Sequence, residues 1–169
     1  MPKALNIIRD EHRSIAAVLH GMQHLVRQIR EGKAKNDSRV FRAMLYYLDT
    51  FSERMHHPKE DRFLFGPLRR REAGADALIA ELEREHASGA QSLRRVEQCL
   101  IRYEEGGDKE FTEFAQEVDR FALGYWDHMR KEEEQVFPLA EKLLTPEDWA
   151  EIDRAFEENL DPLASERDE

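Results

Sequence analysis

Cysteine occurs once in 169 residues, as Cys99. A single thiol closes no intrachain disulfide and supplies no thiolate cluster for a zinc ribbon or an iron–sulfur centre. Chain-breaking residues are scarce as well, with 8 glycines and 6 prolines and long stretches that carry neither. A β-rich chain needs turn residues more often than that, so helix is the expected state. No hydrophobic run is long enough for a membrane span and none resembles a signal peptide, so the expected compartment is the cytoplasm. Basic charge is in deficit: 26 Lys and Arg stand against 36 Asp and Glu, a net charge of -10. That balance disfavours nucleic acid and anionic membrane as partners. The one basic run, Arg69, Arg70 and Arg71, falls where a predicted helix ends and where cations suit the negative pole of its dipole. It reads as a solvated helix end.

What the chain has instead is histidine beside carboxylate, twice, in matching frames. Glu11-His12 is followed by His56-x-x-x-Glu60, and Glu85-His86 by His128-x-x-x-Glu132, at intervals of 44 and 42 residues. Nine residues after the second histidine of each copy stands a phenylalanine, Phe65 or Phe137, with a proline close behind (Pro67, Pro138). Duplicated imidazoles and carboxylates are what a two-fold pseudosymmetric metal site needs.

Apolar residues at helical spacing mark four long helices. They run over roughly 3–31, from the cap candidates Asn36-Asp37-Ser38 to about Arg70, from Gly74 to Gly106-Gly107, and onward from about Asp108. Thr145-Pro146-Glu147-Asp148 reads as a cap with proline at the first helical position, opening a short helix over roughly 146–158. The expected fold is all-α: an up-down-up-down four-helix bundle over residues 1–145, then a short C-terminal fifth helix and acidic tail over 146–169. Pro58 removes a backbone donor, so helix 2 should open near Arg54. At 1.5 Å per residue, His12 lies about 13 Å and His86 about 16 Å into their helices, while His56 and His128 lie about 20 Å before the ends of theirs. In antiparallel packing all four histidines therefore reach one level.

Histidine and glutamate four residues apart stand about 6 Å apart along a helix and share a face, so both heads can reach one bimetallic centre. The expected metal ligands are His12, His56, Glu60, His86, His128 and Glu132. His57-x-x-x-Asp61 has the same spacing, but its counterparts in the second copy are Met129 and Glu133, so symmetry favours His56 and Glu60 and leaves His57 and Asp61 as candidates for an additional ligand, for a place behind the ligands or for the rim. His20 and His24 turn away from the His12 face and are expected at the surface. Glu53 and Tyr125, one turn before His56 and His128, offer a further ligand, a proton donor, or simple helix-face packing. Glu-x-x-His pairs of the ferritin-like di-metal type occur at Glu53/His56 and Glu83/His86, but on helices 2 and 3 and not on alternate helices, which disfavours that arrangement.

His12, His56-His57-Pro58-Lys59-Glu60, Glu85-His86 and His128-x-x-x-Glu132 together resemble the hemerythrin-like, or HHE cation-binding, domain over about residues 4–142. The resemblance implies a non-heme centre of two iron ions, bridged by the two carboxylates and by oxo or hydroxo. Relatives bind dioxygen, nitric oxide or peroxide, sense oxygen or redox state, or serve iron supply and iron–sulfur repair. The expected partner is thus a small diatomic or peroxide ligand, with iron donation or storage, iron–sulfur repair and a redox sensor module as alternatives. Oxygen-carrying hemerythrins have a fifth histidine one turn after the helix 3 ligand; Ala90 stands there in this chain, and Ala16 at the pseudosymmetric place. Two octahedral metals need about twelve donor bonds and this set supplies about ten, so about one position per metal stays open. Two open positions favour redox reactivity over oxygen transport.

Overall fold

The computed structural model describes residues 2–35 and 37–164. Asn36, one of the expected cap residues, and positions 165–169 of the expected tail lie outside them. The fold is all-α, and among the described residues there is no strand. Helix α1 is Lys3–Arg30; α2 is a continuous rod over 38–71; α3 is Asp76–Gly106; α4 is a rod over 111–143; α5 is Pro146–Glu157. No helix among the described residues is long and apolar enough to cross a membrane.

Local chemistry sets the ends. Gly32 and Gly107 take φ of 68° and 74°, the left-handed conformation that closes α1 and α3 at little steric cost. The Asp37 side chain accepts from the Arg39 backbone N–H at 3.2 Å and starts α2. At α5 the Thr145 hydroxyl accepts from the Asp148 N–H, and the Asp148 carboxylate accepts from the Thr145 N–H, a reciprocal capping box with Pro146 at the first helical position.

Rods α2 and α4 are not uniform. Wider π-type turns occupy Leu48–His56 and Glu60–Phe65 in α2, and Glu132–Val136 in α4. Each of these three stretches ends two residues before a proline: Pro58, Pro67 and Pro138. The residue before each proline donates five residues back, His57 to Ser52, Gly66 to Asp61 and Phe137 to Glu132. A proline has no N–H for the carbonyl four residues before it, and an i→i+5 register absorbs the defect without breaking the rod. The opening expected near Arg54 is therefore a widened stretch of helix. Of the four expected ligands on α2 and α4, His56, Glu60 and Glu132 lie within these widened turns, and His128 lies one helical turn before the third.

Two apolar cores lie along the bundle. One combines Ile15–Val26 of α1, Phe41–Phe51 of α2, Leu93–Tyr103 of α3 and Phe114–Met129 of α4. The other combines Ala4–Ile8 of α1, Leu64–Leu68 of α2, Ile79 and Leu82 of α3, Val136–Ala140 of α4 with Leu144 just beyond it, and Ile152 and Phe156 of α5. Between them, on every long helix, the apolar pattern is interrupted by buried polar residues: His12, His56, Glu60, His86, His128 and Glu132. The site is thus a polar layer held between two dry layers.

Helix α5 seals the second core, because Ile152 and Phe156 are almost wholly buried there. Burying each such side chain is worth about 1.5–3 kcal/mol. Thr145→Ala removes the cap that starts this helix, and we expect a loss of about 1 kcal/mol in urea unfolding of the metal-free chain.

Candidate metal centre

Each of the four histidines turns one ring nitrogen outward to a carboxylate and the other inward. The Nδ1–H of His12 donates to Glu133 at 2.8 Å, that of His56 to Glu11 at 2.6 Å, that of His86 to Asp61 at 2.7 Å and that of His128 to Glu85 at 2.7 Å. With the proton held on Nδ1, each Nε2 presents its lone pair to the interior. Pairing a histidine's outer N–H with a carboxylate fixes ring and tautomer, which is how metal-binding imidazoles are commonly held.

The four Nε2 atoms converge on two buried carboxylates, and each carboxylate faces both ways. Glu60 Oε1 lies 3.6 Å from His12 Nε2 and 3.3 Å from His56 Nε2, while its Oε2 lies 3.6 Å from His86 Nε2. Glu132 Oε2 lies 3.2 Å from His12 Nε2, and its Oε1 lies 3.7 and 3.3 Å from those of His86 and His128. Among the described residues all four of these oxygens are buried without a hydrogen-bond partner, as is His12 Nε2. His86 Nε2 and His128 Nε2 face each other at 2.8 Å. Orphaned buried carboxylate oxygens and opposed lone pairs are costly unless a proton or a cation joins them. The donor set therefore fits a metal, with His12 and His56 on one side, His86 and His128 on the other, and a carboxylate oxygen of each glutamate on both.

The repeat in the sequence has a cross-wired meaning in space. His86, from the second copy, is held by Asp61 and stacked by Phe65 of the first, ring centroids 5.6 Å apart. His12, from the first copy, is held by Glu133 and stacked by Phe137 of the second at 6.2 Å. Asp61 and Glu133 are thus equivalent, as are Glu11 and Glu85, which hold the histidine on the neighbouring rod of their own copy. Sequence reasoning quoted Glu11, Glu85 and Glu133 without giving them a task. The signal was there, since each expected ligand of α1 and α3 follows a glutamate, and each ligand glutamate precedes an acid. Two further anchors were not legible: Asn159, beyond the repeat, donates to Glu11 at 2.8 Å, and Lys131, inside the second His-x-x-x-Glu, donates to Glu85 at 2.7 Å.

His57 lies in the interior, not at the rim. It is buried, its ring stacked 4.1 Å from that of His86, and a nitrogen falls within 4.8 Å of donor atoms of Glu60, His86 and His128. Its Nδ1 has no hydrogen-bond partner, and its nearest carboxylate oxygen, on Glu53 at 3.7 Å, already accepts from the Tyr125 hydroxyl. Ser52 Oγ lies 3.1 Å from that hydroxyl. His20 and His24 are exposed, His20 against the Trp126 ring.

The electrostatics follow from the packing. Burial alone would lower the His128 imidazole, but the close charge of the Glu132 carboxylate and the bond to Glu85 overcome it and push the pKa up to about 10. His12 is raised well above its usual value against the same burial, by the nearby carboxylates of Glu132, Glu133 and Glu60. Burial would raise the Glu132 carboxyl, yet the charges of His128 and His12 hold it well below the carboxylate range. His57 moves the other way, because burial and the neighbouring His86, His56 and His128 all disfavour its cation. Burial also raises Glu53, with the Tyr125 bond opposing, and raises Tyr125, with Glu53 adding to it.

A helical bundle with a duplicated histidine–carboxylate layer defines a cation-binding bundle. Residues 3–140 match the family described as Hemerythrin HHE cation binding domain, and the chain belongs to it. No curated protein matches the chain.

In the metal-free chain His128 binds its proton more tightly folded than unfolded, so that stabilisation is complete below pH roughly 6.5 and is lost as pH rises toward 10. His57 does not offset this, being neutral in both states above that pH. We expect the melting temperature of chelator-stripped protein to fall between pH 6.5 and 9.5, and metal loading at pH 7.5 to release protons, measurable by calorimetry in buffers of different ionisation enthalpy. A flat profile with no proton release would contradict this assignment.

Proposed function

We propose that the chain is a non-heme di-iron protein that binds or reacts with a small oxidant, namely dioxygen, peroxide or nitric oxide. Its centre is a four-histidine, two-glutamate site in an up-down-up-down four-helix bundle closed by α5. The division of the apolar cores supports that topology, since the early turns of odd helices share a core with the late turns of even ones. The observation that carries the di-metal reading is the two-sided presentation of Glu60 and Glu132, one oxygen to each imidazole pair. A single metal would use one side of each carboxylate and leave the other oxygens unpaired.

His12, His56, His86 and His128 would hold the metals through Nε2, and Glu60 and Glu132 would offer a carboxylate oxygen to each imidazole pair. Glu133, Glu11, Asp61 and Glu85 orient the rings and raise their basicity. His57 has no such carboxylate on its outer nitrogen, which separates it from the ligand set; it stands beside the centre as a neutral imidazole. A pair of iron ions supplies one-electron exchange at each metal and open positions for a small ligand. Around it Ile15, Leu82 and Phe121 exclude water, and Tyr125, its hydroxyl tied to Glu53, holds a proton close by. The ligand side chains are all buried, which favours retained over donated iron.

We expect His86→Ala and Glu132→Gln to lose most bound iron, His57→Ala to keep it, and Asp61→Asn to bind it about 10–100-fold more weakly. Metal analysis after desalting checks all four. The anaerobic ferrous protein is expected to change its visible spectrum on mixing with oxygen, peroxide or nitric oxide. Wild type that binds iron yet responds to none of them would refute the oxidant reading.

A further inference from the structure

The C-terminal segment does more than cover the second core. The Asp153 carboxylate of α5 accepts from the Ala4 backbone N–H at 2.7 Å, where α1 begins. The Lys59 ammonium donates to the Ala155 carbonyl at 2.6 Å, and Lys59 stands directly before the expected ligand Glu60. Just past the helix, Asn159 donates to Glu11 at 2.8 Å, and the Tyr47 hydroxyl donates to Asp161 at 3.1 Å. All of these partners belong to α1 and α2, the helices that carry His12 and His56.

Asn159 reaches furthest toward the centre. Its amide nitrogen meets Glu11 Oε1, and Glu11 Oε2 accepts from the His56 Nδ1–H at 2.6 Å, so the amide stands two hydrogen bonds from that imidazole. An ionised carboxylate only accepts, which fixes the end of the amide that faces it. The other end, Oδ1, is buried and has no partner among the described residues. An amide placed for packing alone would satisfy both ends or neither, whereas this one keeps the bond to Glu11 and leaves its oxygen unpaired. The equivalent carboxylate on the other side, Glu85, is anchored from within the bundle by Lys131, which lies between His128 and Glu132 on α4. The anchor of Glu11 instead comes from beyond the residues that the family match covers.

We propose that Asn159 is a positioning residue for the metal held by His12 and His56, and that occupancy of that position is coupled to docking of the C-terminal segment 146–161. This rests on the two-metal reading of the centre. With Asn159 in place, Glu11 keeps the His56 ring turned so that Nε2 faces inward. Without it, Glu11 is free to swing away and the ring loses its orientation. The coupling runs both ways: a metal that fixes His56 and Glu11 also fixes the acceptor on which Asn159 closes. His86 and His128 are held through Asp61 and through Glu85 with Lys131, and do not share that dependence.

Cobalt(II) is the probe, because its visible bands report filled positions without redox chemistry. Wild type is expected to take up two ions. Asn159→Asp, an isostere that sets a second carboxylate against Glu11, should weaken one of the two by roughly tenfold and leave the other near wild type. Asn159→Gln keeps the amide donor and should lie between that variant and wild type. Glu157→Ala, on the exposed face of the same helix, should match wild type. In the loaded protein the exchangeable Nδ1–H signal of His56 should shift in Asn159→Asp, and that of His128 should not. In the reverse direction, cobalt should slow amide hydrogen exchange over residues 150–157 of wild type, and Asn159→Asp should abolish that slowing. Equal weakening of both ions, wild-type binding by Asn159→Asp, or exchange in α5 that is indifferent to cobalt would overturn the proposal. Wild type that takes a single ion and still protects α5 would remove the two-metal reading and keep the coupling, whereas two ions bound regardless of Asn159 would do the reverse.

Discussion

Two glutamates buried between dry layers are the constraint on which the structure depends. Glu60 and Glu132 have no exposed surface and no hydrogen bond to either pair of carboxylate oxygens. Ions taken out of water at that depth cost several kcal/mol each unless they are compensated. The inward Nε2 atoms of four histidines stand against them, with His57 beside the Glu60, His86 and His128 group, and those four atoms can compensate either by carrying protons or by sharing a cation. The metal-free chain takes the first route, which is why His12 and His128 hold protons so tightly. A bound metal takes the second, and the same geometry then serves as a ligand sphere.

The surrounding features follow from keeping those histidines fixed. Each outer nitrogen is tied to a carboxylate, and two of those carboxylates are tied again, Glu11 by Asn159 beyond α5 and Glu85 by Lys131. Phe65 and Phe137 cover the rings of His86 and His12 from the opposite copy, so neither half of the repeat completes its site alone. The prolines have a part in this as well. Widened turns ahead of Pro58, Pro67 and Pro138 reset the helix phase next to the ligand pairs without ending α2 or α4.

Much of this was legible in the chain, for stated reasons. Long apolar stripes and few breakers mark the helices, and the caps at Gly32, Gly107 and Thr145 lie where their chemistry requires. Helix rise alone places four histidines at one level. Periodicity does not carry the direction in which a side chain turns, so Glu11, Glu85 and Glu133 stood in the motif with no role, and His57 was left between an additional ligand, a place behind the ligands and the rim. Its true position depends on the widened turns over Leu48–His56, which rotate two adjacent histidines toward the interior together. The approach of Glu53 to α3 was equally out of reach, because Gly89 looks like an ordinary helix glycine until the Glu53 carboxylate is seen against it.

The central claim is that two metals lie side by side between Glu60 and Glu132. An anomalous difference map from crystals of the iron-loaded protein, collected at the iron absorption edge, tests it most directly. Two peaks within bridging distance are expected, one against His12 and His56 and the other against His86 and His128. A single peak, or iron bound away from this layer, would contradict it.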